Sequence, residues 1–371
     1  MIRALAHQRN RFEALAPAGA SVVSRAGHIL AAFLLAGTFA LSAPAAAFAE
    51  VLESDEIGNK TVAARGLSAD ACPDIGATHA MLVGSDGTVY FSRDANAEVK
   101  IASLTKIMTA VVALENAPLD LTVTVDNEAA TVGESSAGLL EGDTMSLETA
   151  LYALMVPSGN DAGIAIAKSV GAHMSGDAST GYDTFIAAMN AKAADLGMSH
   201  SVYTNPHGLD FDAFGDEDLH SSARDVATLV SYAMQNDTFR GIVDAGSTTI
   251  TVTSADGTAR NVALQTTDEL MGVYDGICGV KTGTTDDAGY CFAGAVSRDA
   301  GELYSVVLDS PSSDERFSDT VALMDWAYAN IAQRSLVNSD QYVEYLGARV
   351  PLVAKVAHND WVDVTVDATV A

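Results

Sequence analysis

Two segments of this chain, residues 147–156 (LETALYALMV) and 161–170 (DAGIAIAKSV), have a helical pattern that is apolar almost all the way round. A helix of that kind has to be buried inside a sizeable domain. Between them lies Pro157-Ser-Gly-Asn160, and proline cannot continue a helix. A polar loop therefore joins two buried helices. It is either a plain interhelical turn at the surface or part of the wall of a cleft. Ser158 and Asn160 are candidates on the second reading.

The rest of the chain supplies the frame. With 371 residues, 49% of them apolar, it can form one large domain or two ordinary ones. Residues 78–94 hold two strand-like runs around Ser85-Asp86-Gly87, a hairpin signal. From Ser103 to Asn116 the period turns helical, with Pro118 closing the element. Residues 182–196 and 223–235 also read as helices, the latter with Ser221 or Ser222 as cap. From Ser247 the period becomes β-like. Residues 274–310 read as three strands with turns near 284–288 and 298–301, and residues 313–331 as a long helix. A strand pair, many helices, three strands and a helix indicate an α+β fold, a mostly antiparallel sheet with helices packed on it.

The ends differ from this body. Arg3, Arg9, Arg11 and Arg25 precede an apolar run at 29–41, followed by Ala47-Phe48-Ala49 before Glu50. This reads as a secretory signal peptide over 1–49, because the run is short against the roughly 20 residues of a membrane span. Residues 50–77 are expected to be a flexible lead-in, 78–334 the main domain, and 335–371 a short β-rich tail without an amphipathic anchor. Export allows disulfides, and the cysteines are Cys72, Cys278 and Cys291. The net charge of −28, with no basic cluster in the body, argues against a nucleic-acid partner.

Three short motifs carry candidate chemistry. Ser103-Leu-Thr-Lys106 places a hydroxyl and an amine on one helix face. Alone, it is as easily a cap serine with a solvated lysine. Ser158-Gly-Asn160 is the polar break described above. Lys281-Thr-Gly283 lies on a strand, where it could be a hairpin with a surface lysine. It is not a phosphate loop, because Val280 stands where that motif needs glycine. No His-Glu-x-x-His occurs, so neither metal nor cofactor is expected. In sequence order the three match the serine, middle and Lys-Thr-Gly motifs of penicillin-interacting serine enzymes, with Gly159 in place of the usual Asp.

The flanking sequence narrows this further. ASLTKIMTAVVALE (102–115), LYALMVPSGNDAGIAIA (151–167), YTNPHGLD (203–210) and DGICGVKTGTTDDAGYCFAGA (275–295) together resemble the D-alanyl-D-alanine carboxypeptidases, low-molecular-mass penicillin-binding proteins of the S11 serine peptidase type. The resemblance covers about residues 75–333. Ile101, where relatives usually carry proline, departs from the pattern. It implies a β-lactamase/transpeptidase-like fold, with the sheet flanked by helices beside an all-helical subdomain. The implied partners are peptidoglycan stem peptides, with β-lactams as inhibitors.

It also implies residue roles. Ser103 is the nucleophile, Lys106 its base, and Ser158 a proton relay. Asn160, Lys281, Thr282, Gly283 and Thr284 bind substrate, with Gly283 leaving the strand edge bare for it. His207 is expected to be a structural loop histidine, and Arg316 either a carboxylate neighbour or an ordinary helix-start residue. Cys278 and Cys291 flank the Lys-Thr-Gly strand, and a turn centred at 284–285 would place them opposite each other as a disulfide. A DD-endopeptidase, a β-lactamase and an inactive wall-binding relative remain as alternatives.

Overall fold

The computed structural model describes residues 51–210 and 218–330, together with four short strands between 332 and 356. The expected signal peptide and residues 357–371 of the expected β-rich tail lie outside the described residues. Among the described residues, no helix is long and apolar enough to cross a membrane.

The chain enters through β1 (Glu56–Ile57), β2 (Lys60–Thr61) and a helical turn, α1 (Val62–Arg65). β3 (His79–Gly84) and β4 (Val89–Arg93) form the expected hairpin. A 3-10 turn at Ala102–Leu104 leads into α2 (Thr105–Asn116). A lobe follows: β5 (Thr122–Thr124), α3 (Asn127–Thr131), β6 (Thr144–Ser146), α4 (Leu147–Met155), α5 (Asn160–Ser175) and α6 (Gly181–Asp195). The chain continues through α7 (Ala223–Ala233), α8 (Asp237–Val243), β7 (Thr248–Thr253) and β8 (Ala259–Leu264). Then come β9 (Ile277–Thr285), β10 (Gly289–Arg298), β11 (Gly301–Ser310) and α9 (Glu315–Asn330). β12 (Ala332–Ser335) pairs with β15 (Val353–Val356), and β13 (Tyr342–Tyr345) pairs with β14 (Ala348–Pro351).

The main sheet runs β2-β1-β4-β3-β11-β10-β9, antiparallel throughout. Both its faces are covered, which is why its central strands read as nearly continuous apolar runs. Along β11, Tyr304, Val306 and Leu308 enter the core shared with α2, α4, α5 and α7. Leu303 and Val307 point the other way, into the core shared with α9 and the entering segment. The helical lobe is not purely helical: β5 and β6 join β7 and β8 in a small antiparallel sheet, a detail hidden in strands of three residues.

Local rules account for the helix starts. Ser222 caps α7 by accepting from Asp225 N, as expected, and Ser146 caps α4 through Thr149 N. The segment at 50–77 departs from expectation. It is no loose lead-in, because Asp55 is fully buried and ion-paired with Arg93, and Asp319 of α9 accepts from the N–H groups of Gly76 and Ala77. These partners are hundreds of residues away or on another element, so polar composition alone misled the reading.

Candidate active site

The expected nucleophile sits where three elements meet. α2 begins just after Ser103, and its residues from Thr105 to Ala113 are all buried, so it is the central helix of the fold. Gly283 of β9 lies directly against the turn before it. A Cβ there would come within 2.9 Å of Ile101 O and 3.3 Å of Ser103 N. Gly283 is therefore needed first for contact with the serine turn, a reason beyond the bare strand edge expected for substrate. Gly208 plays the same part from the other side: at φ +90 it packs on Ala102, and a Cβ would lie 1.9 Å from Ala102 O. Held between these glycines, Ala102 adopts φ +47. Such strain in a non-glycine residue persists only where the surroundings impose it.

Lys106 is fully buried, and three atoms surround its Nζ. It donates to Asn160 Oδ1 at 2.7 Å and to His207 O at 2.8 Å, and lies 2.7 Å from Ser103 Oγ. The first two can only accept. A neutral amine has two N–H groups and one lone pair, so its lone pair then faces the Ser103 hydroxyl. Burial pushes the Lys106 pKa well below the ordinary lysine value, and the nearby Lys281 ammonium pushes it further, against the pull of Asp161. In its neutral form this amine can accept a proton from the Ser103 hydroxyl.

The Asn160 end of the site is built by the break that opened the sequence reading. Pro157 ends α4, Ser158 takes φ +65, and Asn160 begins α5. Gly159 cannot carry a side chain: a Cβ would meet Asp161 Oδ1 at 2.5 Å and Ala153 O at 2.7 Å. Asn160 Nδ2 donates to Gly133 O, and the buried Asp161 carboxylate accepts from Ala137 N, Leu139 N and Ser136 Oγ. This ties the loop at 133–139 to the helix start. Ser158 is buried nearby, but its hydroxyl makes no hydrogen bond among the described residues, so it is not joined to Lys106 here.

The third wall is β9, at the edge of the sheet. Lys281 is buried, donates to Thr282 O at 2.9 Å, and has its pKa lowered to about 7 by burial and by Arg316. The Thr282 hydroxyl is taken up with Thr267 at 2.6 Å. Thr284 lines the cleft, and Arg316 of α9 donates to its hydroxyl at 2.9 Å. Arg316 is thus at the site. His207 is not a base: burial lowers its pKa to about 3, Leu209 N donates to its Nδ1, and it contributes its backbone carbonyl to Lys106. Asn205 holds that loop by accepting from His207 N and Gly208 N. Around Ser103 these walls leave a cleft of about 410 Å³, bordered also by Ser135, Asn160, Leu209, Asp210 and Thr284. That is within the usual range for small-molecule sites.

The expected disulfide is overturned. Thr285 pairs with Gly289 and Gly283 with Cys291, so the β9–β10 turn lies at 286–288, further along than assumed. Cys278 then stands five residues along β9 from the residue opposite Cys291, roughly 16 Å at the usual strand rise. That is far beyond bridging distance. Both thiols are free: Cys278 donates to Ala295 O and Cys291 to Ala288 O.

A serine turn, a buried amine and a lysine-bearing strand edge follow one another in this order along the chain. The sequence profile of the D-alanyl-D-alanine carboxypeptidase family, peptidase S11, matches residues 66–312. The chain belongs to this family. A D-alanyl-D-alanine carboxypeptidase of Streptomyces sp. (strain K15) is 33% identical over 250 residues, covering 66% of this chain and 84% of the relative. One from Mycobacterium tuberculosis is 31% identical, covering 67% of this chain and 81% of the relative. The crystal structure of the Streptomyces K15 DD-transpeptidase superposes with a TM-score of 0.64 at 31% identity, over 69% of this chain and 98% of that one.

What sequence reasoning missed are the supports. Asp161 and Gly208 lay inside the quoted motif strings, but their tasks are contacts with residues distant in sequence. Asp210, which accepts from the Thr285 hydroxyl at 2.6 Å, closes another of those strings, whereas Asp268 lies outside them all and gave no local signal.

Proposed function

We propose that this protein is a serine-type D-Ala-D-Ala carboxypeptidase that removes the terminal D-Ala from peptidoglycan stem pentapeptides through an acyl-enzyme on Ser103. The observation that carries this reading is the Lys106 amine, 2.7 Å from Ser103 Oγ with its two N–H groups committed elsewhere.

Ser103 Oγ attacks the penultimate D-Ala carbonyl carbon while its proton passes to Lys106 Nζ. The oxyanion forms beside the backbone N–H groups of Ser103 and Thr284. The C–N bond then breaks, and the proton reaches the departing D-Ala nitrogen by way of the Ser158 hydroxyl, which is free to turn toward it. Lys281, the Thr284 hydroxyl and Arg316 provide positive charge and donors for the terminal carboxylate. The Thr282 hydroxyl, engaged with Thr267, serves the strand more than the substrate. Asn160 orients Lys106 and meets the substrate amide. Water finally hydrolyses the ester and frees Ser103. A β-lactam presents a strained amide to the same hydroxyl and acylates it. In the cell, the leader over 1–49 directs export, so the enzyme works at the cell wall, outside the cytoplasmic membrane.

Mass spectrometry of a synthetic pentapeptide ending in D-Ala-D-Ala tests this. Loss of one D-Ala with wild type and none with Ser103→Ala is the expected result. Cleavage of a cross-linked dimer without D-Ala release moves the assignment to an endopeptidase, and rapid turnover of a chromogenic β-lactam moves it to a β-lactamase.

A further inference from the structure

Beside β9, on a small cavity lined by Val280, Lys281 and Thr282, lies a second group the mechanism does not use. Asp268 is more than nine-tenths buried. Its Oδ1 accepts from Leu270 N at 2.9 Å, while its Oδ2 has no hydrogen-bond partner. A buried carboxylate oxygen left this way is costly unless something pairs with it.

The surroundings point to what pairs with it. Asp268 and Lys281 both line an enclosed cavity of about 10 Å³, closed by Val156, Thr267, Val280 and Thr282. That is about the space one water needs, and a buried water needs two to four polar partners. Lys281 as an ammonium has three N–H groups, and one of them donates to Thr282 O. The loop that carries Asp268 is fastened in place, with Thr267 bonded through its hydroxyl to Thr282 and through its N–H to Val156 O.

We infer that Asp268 is a positioning residue for Lys281: across this cavity, through one water, its carboxylate holds the lysine in its charged form for the substrate carboxylate. The charged neighbours are accounted for. Arg316 from α9 disfavours a charge on Lys281, Glu269 bears on Arg316, and Lys106 of α2 is the group that the Lys281 charge itself acts on. Asp268 is the group that opposes Arg316 at Lys281. Burial raises its own pKa to about 6, so it is ionised at neutral pH.

This rests on the proposed acylation of Ser103, and the pH dependence of acylation by a fluorescent penicillin separates the two. In wild type the rate needs Lys106 neutral and Lys281 charged. It therefore rises as Lys106 loses its proton and falls as Lys281 loses its own, near pH 7. Removing the Asp268 charge makes the Lys281 ammonium less favourable, so its pKa falls. In Asp268→Asn the alkaline limb should move down by about one pH unit. That corresponds to a rate about tenfold below wild type at pH 8 but within about twofold at pH 6. Asp268→Glu should restore the wild-type limb. Asp268→Ser carries the same test if the Asn variant does not fold.

An unmoved alkaline limb in a folded neutral variant, or a uniform loss at every pH, overturns the inference. So does loss of folding in both neutral variants, which would make Asp268 a stability residue. A wild-type protein that is not acylated at all removes the proposed function instead.

Discussion

The two ends of the main sheet bury charge in opposite ways. Toward the β1–β4 end, Arg93 meets Asp55 through two bonds of 2.8 and 2.7 Å and donates again to Ile75 O and Ala77 O. At the β9 edge, Lys106, Lys281 and Arg316 lie close together, and no carboxylate bonds directly to either lysine among the described residues. The first arrangement pairs opposite charges, satisfies their donors and fastens the entering segment to the sheet. The second places like charges together in a buried site, so the pKa values of both lysines fall below the ordinary lysine value. The fold gives one end a buried ion pair and the other buried lysines with lowered pKa values. Buried charge is evidence for a functional site only when the partners are considered with it.

The largest effect expected from this contrast is on activity. Lys106→Met should lower acylation of Ser103 about 10³-fold, in line with the loss of a general base. Its cost in stability should be smaller than that of a change at the other end, because it leaves no buried charge without its partner. Stopped-flow acylation together with denaturant melts checks both parts, and near-normal acylation would remove Lys106 from the base role.

The second effect is on stability. Asp55→Ala leaves Arg93 buried without its carboxylate and should cost about 3–5 kcal/mol. The acylation rate of the molecules that remain folded should not change. A loss of rate at unchanged stability would mean that the two ends are coupled, and the contrast would fail.

The smallest effect concerns the hairpin beside Lys281. With Cys278 and Cys291 both free, reductant should leave the melting temperature unchanged, and all three cysteines should react with iodoacetamide once the purified protein is denatured without reductant. A bridge closing a loop of that size would contribute about 3 kcal/mol, so a clear fall in melting temperature on reduction would restore it.

Much of this protein was legible in the chain itself. The 3.6-residue and two-residue periods placed α2, α4 to α7, α9 and the strands of the β9–β11 run, because those patterns are local and repeat many times. Ser222 as a cap and the turn after Gly84 were readable for the same reason. The motif set Ser103–Lys106, Ser158–Asn160 and Lys281–Gly283, with its flanks, was specific enough to indicate the family. Tertiary structure decided the rest. The β9–β10 turn lies at 286–288 because pairing across two buried faces sets the register, and a shift of a few residues is invisible to composition. Burial, not the residue type, brought the backbone carbonyl of His207 against Lys106 as an acceptor. The entering segment looked loose because its partners, Arg93 and Asp319, come from other parts of the chain. A sequence determines which groups are present and their local periods. Which of them share a buried pocket, and so which charges survive there, depends on contacts that only the folded chain brings together.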